Sequence, residues 1–108
     1  MDMFSAVAEP TRRNIIEILA RNGQLSATQI CDKFDITAQA ISQHLKVLRD
    51  AKVVLMHKHA QQRLYQINPA SMLELEEWAK KMAVQWEERF DRLDKILEAE
   101  KKKGAKKR

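Results

Sequence analysis

Between Thr37 and Arg49 the chain carries polar side chains at helical spacing that could form hydrogen bonds to the edges of base pairs. At about 3.6 residues per turn, Ile41, Leu45 and Leu48 share one face, while Gln39, Gln43 and Lys46 point the other way with Ser42 flanking them. Gln can pair with adenine edges, Lys with guanine or phosphate, and Ser with base or phosphate. Such a helix would bury one stripe and offer the other to a major groove. An ordinary amphipathic helix with a solvated polar face has the same outline, so this segment alone does not decide between the two readings.

A reading helix needs elements that hold it. Ser26 with Gln29 three residues on forms a capping box, and Ile30, Cys31 and Phe34 then supply a short apolar face. Asp35 and Ile36 leave only a brief turn before Thr37, a second capping residue, so two short helices follow each other as a helix-turn-helix requires, although the turn lacks the frequent glycine. Val53–His59 and Gln62–Ile67 are rich in β-branched, aromatic and alternating residues and read as a β-hairpin. A reading helix followed directly by a hairpin is a winged helix. The tip at Ala60 and Gln61 has no glycine for a tight turn, which predicts a longer or looser loop and leaves the strand register open. Lys58, Gln62 and Arg63 near that tip could reach phosphates or the minor groove; a solvated hairpin end is the alternative. Thr37, Ala40 and His44 complete the candidate DNA-contacting set, His44 lying at the helix edge where it suits packing or a phosphate hydrogen bond.

The run Ala8-Glu-Pro-Thr-Arg-Arg13 followed by Ile15, Ile16 and Leu19, then Ile41-Ser-Gln-His-Leu-Lys-Val-Leu48, then the hairpin ending in Tyr65, closely resembles the ArsR/SmtB family of small bacterial and archaeal winged-helix repressors. The resemblance runs from about Phe4 to the end of the final helix. It is closest to the branch that lacks metal ligands and has a tryptophan-containing C-terminal helix, here Trp86 to Asp94. It implies a homodimeric repressor that binds an imperfect inverted repeat and often represses its own operon. It also implies a dimer interface built from that helix and the N-terminal segment around Met3, Phe4 and Val7.

Length and charge agree with this outline. A chain of 108 residues is one domain with a modest core, a size at which oligomerisation commonly adds stability. Residues 1–98 read as the DNA-binding and dimerisation domain and residues 99–108 as a basic, disordered tail. The net charge of +5 is a tail effect, because Lys101 to Arg108 holds six basic residues and no acid. Within the body, residues 36–66 carry five bases against one acid, and residues 67–100 carry five against nine. The positive segment coincides with the proposed helix and wing, a modest phosphate-binding footprint that a dimer would double. No apolar run approaches the roughly 18 residues of a membrane span, and the N-terminus lacks a basic region followed by a hydrophobic stretch, so a cytoplasmic protein is expected. The lone cysteine fits a reducing compartment.

Pro10 suits the first position of a helix whose apolar face includes Ile15, Ile16 and Leu19, and Asn22-Gly23 is a good stop. Arg12 and Arg13 lie near its start, where the helix dipole disfavours a cation; they read as a solvated surface pair, with an ion-pair or phosphate partner as the alternative. From Asn68-Pro69 a long helix is expected, with Met72, Leu75, Ala79, Met82, Trp86, Phe90, Leu93 and Leu97 at three- or four-residue intervals and Trp78 beside them. It is too long to be hidden by one small domain. Its first turns are expected on the core and the rest against a second copy, which makes Phe4, Val7, Met82, Trp86, Phe90, Leu93 and Leu97 the candidate dimer interface.

The family's metal sensors depart from this chain. Their cysteine-rich motif would fall at Ser26, Thr28 and Cys31, where one thiol cannot make the site. The zinc sensors use Asp, His and Glu on the last helix, which has no histidine here. No metal and no cofactor are expected; Cys31 reads as a buried structural thiol, and His57 and His59, on one side of a strand, as a pair lacking a third ligand. No Gly-rich phosphate loop, nucleophile with His and acid, or paired carboxylates suggest an enzyme. The leading expectation is a homodimeric repressor on double-stranded DNA, with a small molecule or protein as effector. A winged-helix protein-interaction module and a metal- or redox-responsive repressor are the alternatives.

Overall fold

Asp2 starts the first helix: its carboxylate accepts the Ser5 N–H at 2.8 Å and caps α1 (Met3–Ala8). The computed structural model describes the backbone of residues 1–106 and the side chains of residues 1–100, and the chain divides into two units, Met1–Glu74 and Leu75–Arg108. Within the first unit Glu9 is an extended hinge residue between α1 and α2 (Pro10–Asn22), and its side chain accepts the Arg12 N–H at 2.8 Å. Pro10 sits in the first turn, where its missing N–H removes nothing. The helix stops at Gly23, whose φ of 81° is open to glycine and whose N–H closes on the Leu19 carbonyl at 2.7 Å. The buried face of α2 is Ile15, Ile18 and Leu19 rather than Ile15, Ile16 and Leu19. Residues three and four beyond Ile15 lie above it on the helix, whereas Ile16 is turned aside and half-buried.

A three-residue strand not anticipated from the sequence follows, β1 (Gln24–Ser26). Ser26 then caps α3 (Ala27–Asp32) with the full capping box: Ser26 Oγ accepts the Gln29 N–H at 3.1 Å and Gln29 Oε1 accepts the Ser26 N–H at 2.8 Å. After the turn, Thr37 caps α4 (Ala38–Asp50). The hairpin is β2 (Val54–His59) and β3 (Gln62–Ile67), and the sheet is antiparallel in the order β1-β3-β2. Its register pairs Leu25 and Met56 on either side of Tyr65. The expected loose tip is instead a two-residue turn, because His59 pairs directly with Gln62 and Ala60 takes a φ of 56°. An alanine in the left-handed region costs about 1 kcal/mol, which closed strand pairing can offset.

The core of this unit is a layer of aliphatic side chains shared by helices and sheet: Ile15, Leu19, Ile30, Ile41, Leu45, Leu48, Val53 and Val54 are all essentially inaccessible. Burying each contributes about 1.5–3 kcal/mol, so α4 is held by its three buried residues more firmly than by its cap. The joint after α4 turns at Lys52, whose φ is 62°. The Lys52 carbonyl accepts from Asn68 Nδ2 at 2.9 Å and from the Ser71 hydroxyl, and the Asn68 N–H donates to Val53 O at 2.9 Å. These bonds fasten the exit of α4 to the first turn of α5 (Pro69–Lys106). Beyond Leu75 every described side chain of α5 is exposed. The helix continues through residue 106, into the stretch expected to be disordered; Lys107, Arg108 and the side chains from Lys101 onward lie outside the described residues.

Candidate nucleic-acid interface

The N-terminal turn of α4 is built by Thr37, whose hydroxyl oxygen accepts the Ala40 N–H at 3.1 Å. Thr37 is thus engaged as a cap and supports the helix start. Ile41, Leu45 and Leu48 are 0%, 2% and 0% exposed, which fixes the rotation of the helix, and Gln39, Ser42, Gln43 and Lys46 emerge on the solvent side. Ala40 is half-buried. The expected division into a packed stripe and a polar stripe is what the fold produces. The amides, hydroxyl and ammonium of the four exposed residues stand together on a rigid helix, an arrangement that can meet both acceptors and donors on base edges.

The strand register sorts the wing residues. Lys58 lies directly opposite Arg63, and His59 opposite Gln62. Alternation along β3 puts Arg63 on the same face as buried Tyr65, so Lys58 shares that face as well. Gln62 goes to the other face with His57 and His59, so the structure separates it from the two cations. Arg63 and Tyr65 line a groove of about 340 Å³ with Ala38, Ile41, Ser42 and Leu45 of α4 and Ala27, Thr28 and Cys31 of α3. Two like charges directly opposed on a sheet repel each other. An anion such as a phosphate, bound beside them, would relieve that repulsion. Cys31, expected to be buried, is half-exposed in this groove.

A polar corner that the sequence did not foretell supports α4 from the side away from the groove. Arg12 was expected to be solvated; it is 9% exposed. Its Nε donates to Ala6 O at 2.7 Å, Nη2 to Ser5 O at 3.4 Å, and Nη1 lies 3.3 Å from His44 Nδ1. The carbonyls at the end of α1, which lack partners within the helix, attract the guanidinium and outweigh the unfavourable dipole at the start of α2. Arg13 remains on the surface and donates to Ala8 O at 3.3 Å. His44 is therefore turned toward α2, with its side chain 23% exposed and Nδ1 3.8 Å from Glu9 Oε2. The Arg12 N–H bound to the Glu9 carboxylate, helped by the Thr11 N–H and by the charge of Arg12, holds Glu9 below its ordinary pKa of 4.5. The only sequence signal for this corner was the awkward placement of a cation at a helix start.

On α5, Trp78, Met82, Trp86, Phe90, Leu93, Ile96 and Leu97 are between 37% and 66% exposed. Phe4 is 37% exposed, Val7 half-buried and Met3 buried within its own unit. Among the described residues no three His, Cys, Asp or Glu are grouped so as to hold a metal ion. Nor does any described helix have the length and apolarity to cross a membrane.

Residues 7–57 match the family model described as a helix-turn-helix domain. The chain is 32% identical over 77 residues to the transcriptional repressor SdpR of Bacillus subtilis, an alignment that takes in 71% of this chain and 84% of that one. It is 36% identical over 72 residues to the HTH-type transcriptional regulator Rv2034 of Mycobacterium tuberculosis, covering 67% of this chain and 66% of the relative. The fold superposes on the crystal structure of an ArsR family transcriptional regulator, RHA00566, with a TM-score of 0.70 at 27% identity, covering 78% of this chain and 86% of the other.

Proposed function

The chain belongs to the ArsR family of winged-helix transcriptional repressors, and from that premise we propose that it represses transcription as a homodimer in the cytoplasm, placing one α4 in each half of an inverted repeat. The observation that carries the reading is the exposed quartet of Gln39, Ser42, Gln43 and Lys46 directly behind fully buried Ile41, Leu45 and Leu48. Those four residues read base edges. Lys58 and Arg63 hold phosphates or enter the minor groove beside them and add affinity without choosing the main sequence. The excess of bases over acids in residues 36–66 supports that division, since the attraction is local to the reading helix and wing.

A second copy joins through the stripe Met82, Trp86, Phe90, Leu93 and Leu97, with Phe4 and Val7 contributing. Large apolar side chains half open to water along several turns are what a partner helix would cover. Two reading helices in such a dimer would meet half-sites about 34–36 Å apart, one turn of DNA. The test is selection of bound duplexes from a random-sequence library, followed by Gln43→Ala. The substitution is expected to cost about 1–3 kcal/mol on the selected duplex and little on a scrambled one. Equal loss on both removes Gln43 from base readout, and recovery of sequences without a repeated half-site removes the dimeric reading.

A further inference from the structure

The corner of Glu9, Arg12 and His44 lies outside the reading surface, yet His44 is on α4 next to Gln43. A guanidinium only donates, so the 3.3 Å contact from Arg12 Nη1 to His44 Nδ1 requires a lone pair on that nitrogen. That bond forms with the ring neutral and its proton on Nε2. Because Arg12 also holds the Ser5 and Ala6 carbonyls, the neutral ring links α4 to α1 as well as to α2. Protonation removes the lone pair and sets a second cation 3.3 Å from Arg12. The Glu9 carboxylate, 3.8 Å from the same nitrogen, is the anion within reach of the new cation. One atom therefore has two partners, a cation when neutral and an anion when charged.

The charged groups facing the ring are Glu9 and Arg12, both from the start of α2. The Ser5 and Ala6 carbonyls of α1 and the sulfur of Met1, ahead of that helix, hold Arg12, while the Asp2 carboxylate that caps α1 is engaged by the Ser5 N–H. The α3 and β3 elements meet α4 across the groove at Ala38, Ile41, Ser42 and Leu45, and among the described residues no acid of α3 or the sheet lies within ion-pair distance of His44.

We infer that His44 is a positioning residue: in its neutral form it fixes the setting of α4 through Arg12, and its protonation weakens sequence-selective DNA binding more than non-selective binding. The inference rests on α4 being the reading helix. Base-edge hydrogen bonds tolerate misplacement only on the order of 0.5 Å or 10–20°. Phosphate attraction depends on charge, which protonation increases.

The experiment uses the full chain, a duplex selected from a random-sequence library at neutral pH, and a scrambled duplex of equal length. From about pH 7.5 to about pH 5.5 the ratio of the two affinities is expected to fall on the order of fivefold or more. Affinity for the scrambled duplex should hold or rise. His44→Asn places an amide oxygen near the position of Nδ1 and does not titrate, so this variant should still distinguish the duplexes while its ratio stays flat across the same range. A flat ratio in the unaltered protein overturns the inference. So does an undiminished step in H44N, which would assign the titration to another group such as His57 or His59. The ring tautomer is read independently by ¹⁵N NMR without DNA: a proton on Nε2 at neutral pH supports the geometry, and one on Nδ1 overturns it. A chain that selects no duplex at neutral pH sinks the reading of α4 and the inference with it, a failure recognisable because the tautomer measurement needs no selection.

Discussion

Leu93→Glu puts a carboxylate in the middle of the uncovered stripe on α5, where Trp86, Phe90 and Leu97 are 66%, 51% and 50% exposed and Leu93 itself 50%. A whole leucine side chain removed from water contributes about 1.5–3 kcal/mol, so covering the open half contributes about 1 kcal/mol per copy and about 2 kcal/mol per dimer. Losing that alone weakens self-association by roughly 30-fold. The two carboxylates add more, because each ion covered without a cationic partner costs several kcal/mol. Together the effects take dissociation beyond about 1,000-fold weaker. The assay is sedimentation equilibrium at micromolar concentration, with circular dichroism to confirm that the fold of the first unit, none of whose buried residues is altered, persists. Affinity for the selected duplex should fall in parallel, since two half-sites are no longer engaged by one linked particle. If the variant and the unaltered protein dimerise with the same constant, the stripe is not the interface.

Arg63→Ala should weaken binding to selected and scrambled duplexes alike and reduce the slope of log affinity against log salt by about one unit, measured by titration at several salt concentrations. An unchanged slope places the arginine off the DNA. The depressed Glu9 pKa sets a sign for acid stability: the ionised cap stabilises the fold fully above the ordinary value of 4.5, and that contribution is lost as pH falls through the lower folded value. Urea midpoints of Glu9→Gln from about pH 3 to about pH 6 should therefore vary less than those of the unaltered chain, with Asp2, depressed in the same sense by the Ser5 N–H, supplying the residual slope. Chelation, or addition of zinc, cadmium or arsenite, should leave affinity for the selected duplex unchanged; a stoichiometric zinc effect abolished by His57→Ala would make the exposed histidine pair a sensor.

What could be read from the sequence was whatever depends on near neighbours. The capping box at Ser26 and Gln29, the Thr37 cap and the buried series Ile41, Leu45 and Leu48 are set by separations of three or four residues, and all appear as expected. What could not be read depends on distant partners. β1 is three residues long and carries little pattern of its own; it exists because Leu25 can pair across from Tyr65. Arg12 is buried because α1 folds back its carbonyls and α4 brings His44 from 32 positions away. The tight turn at Ala60 defies residue preference because strand pairing on both sides outweighs one unfavourable dihedral. For the proposed interface, periodicity named the residues of α4, but only the register revealed that Arg63 shares the groove with Ser42 while Gln62 faces away.

The strand order β1-β3-β2 also leaves the hairpin with a long open edge along β2. Unpaired N–H and C=O groups on such an edge invite strand addition by another molecule, the first step of ordered aggregation. Here the outer half of that edge is His57, Lys58 and His59, all exposed. An incoming strand would have to align beside the fixed positive charge of Lys58 and two imidazole rings. Replacing the residues of the wing tip together with neutral β-formers to study DNA affinity would at the same time remove the guard from the edge.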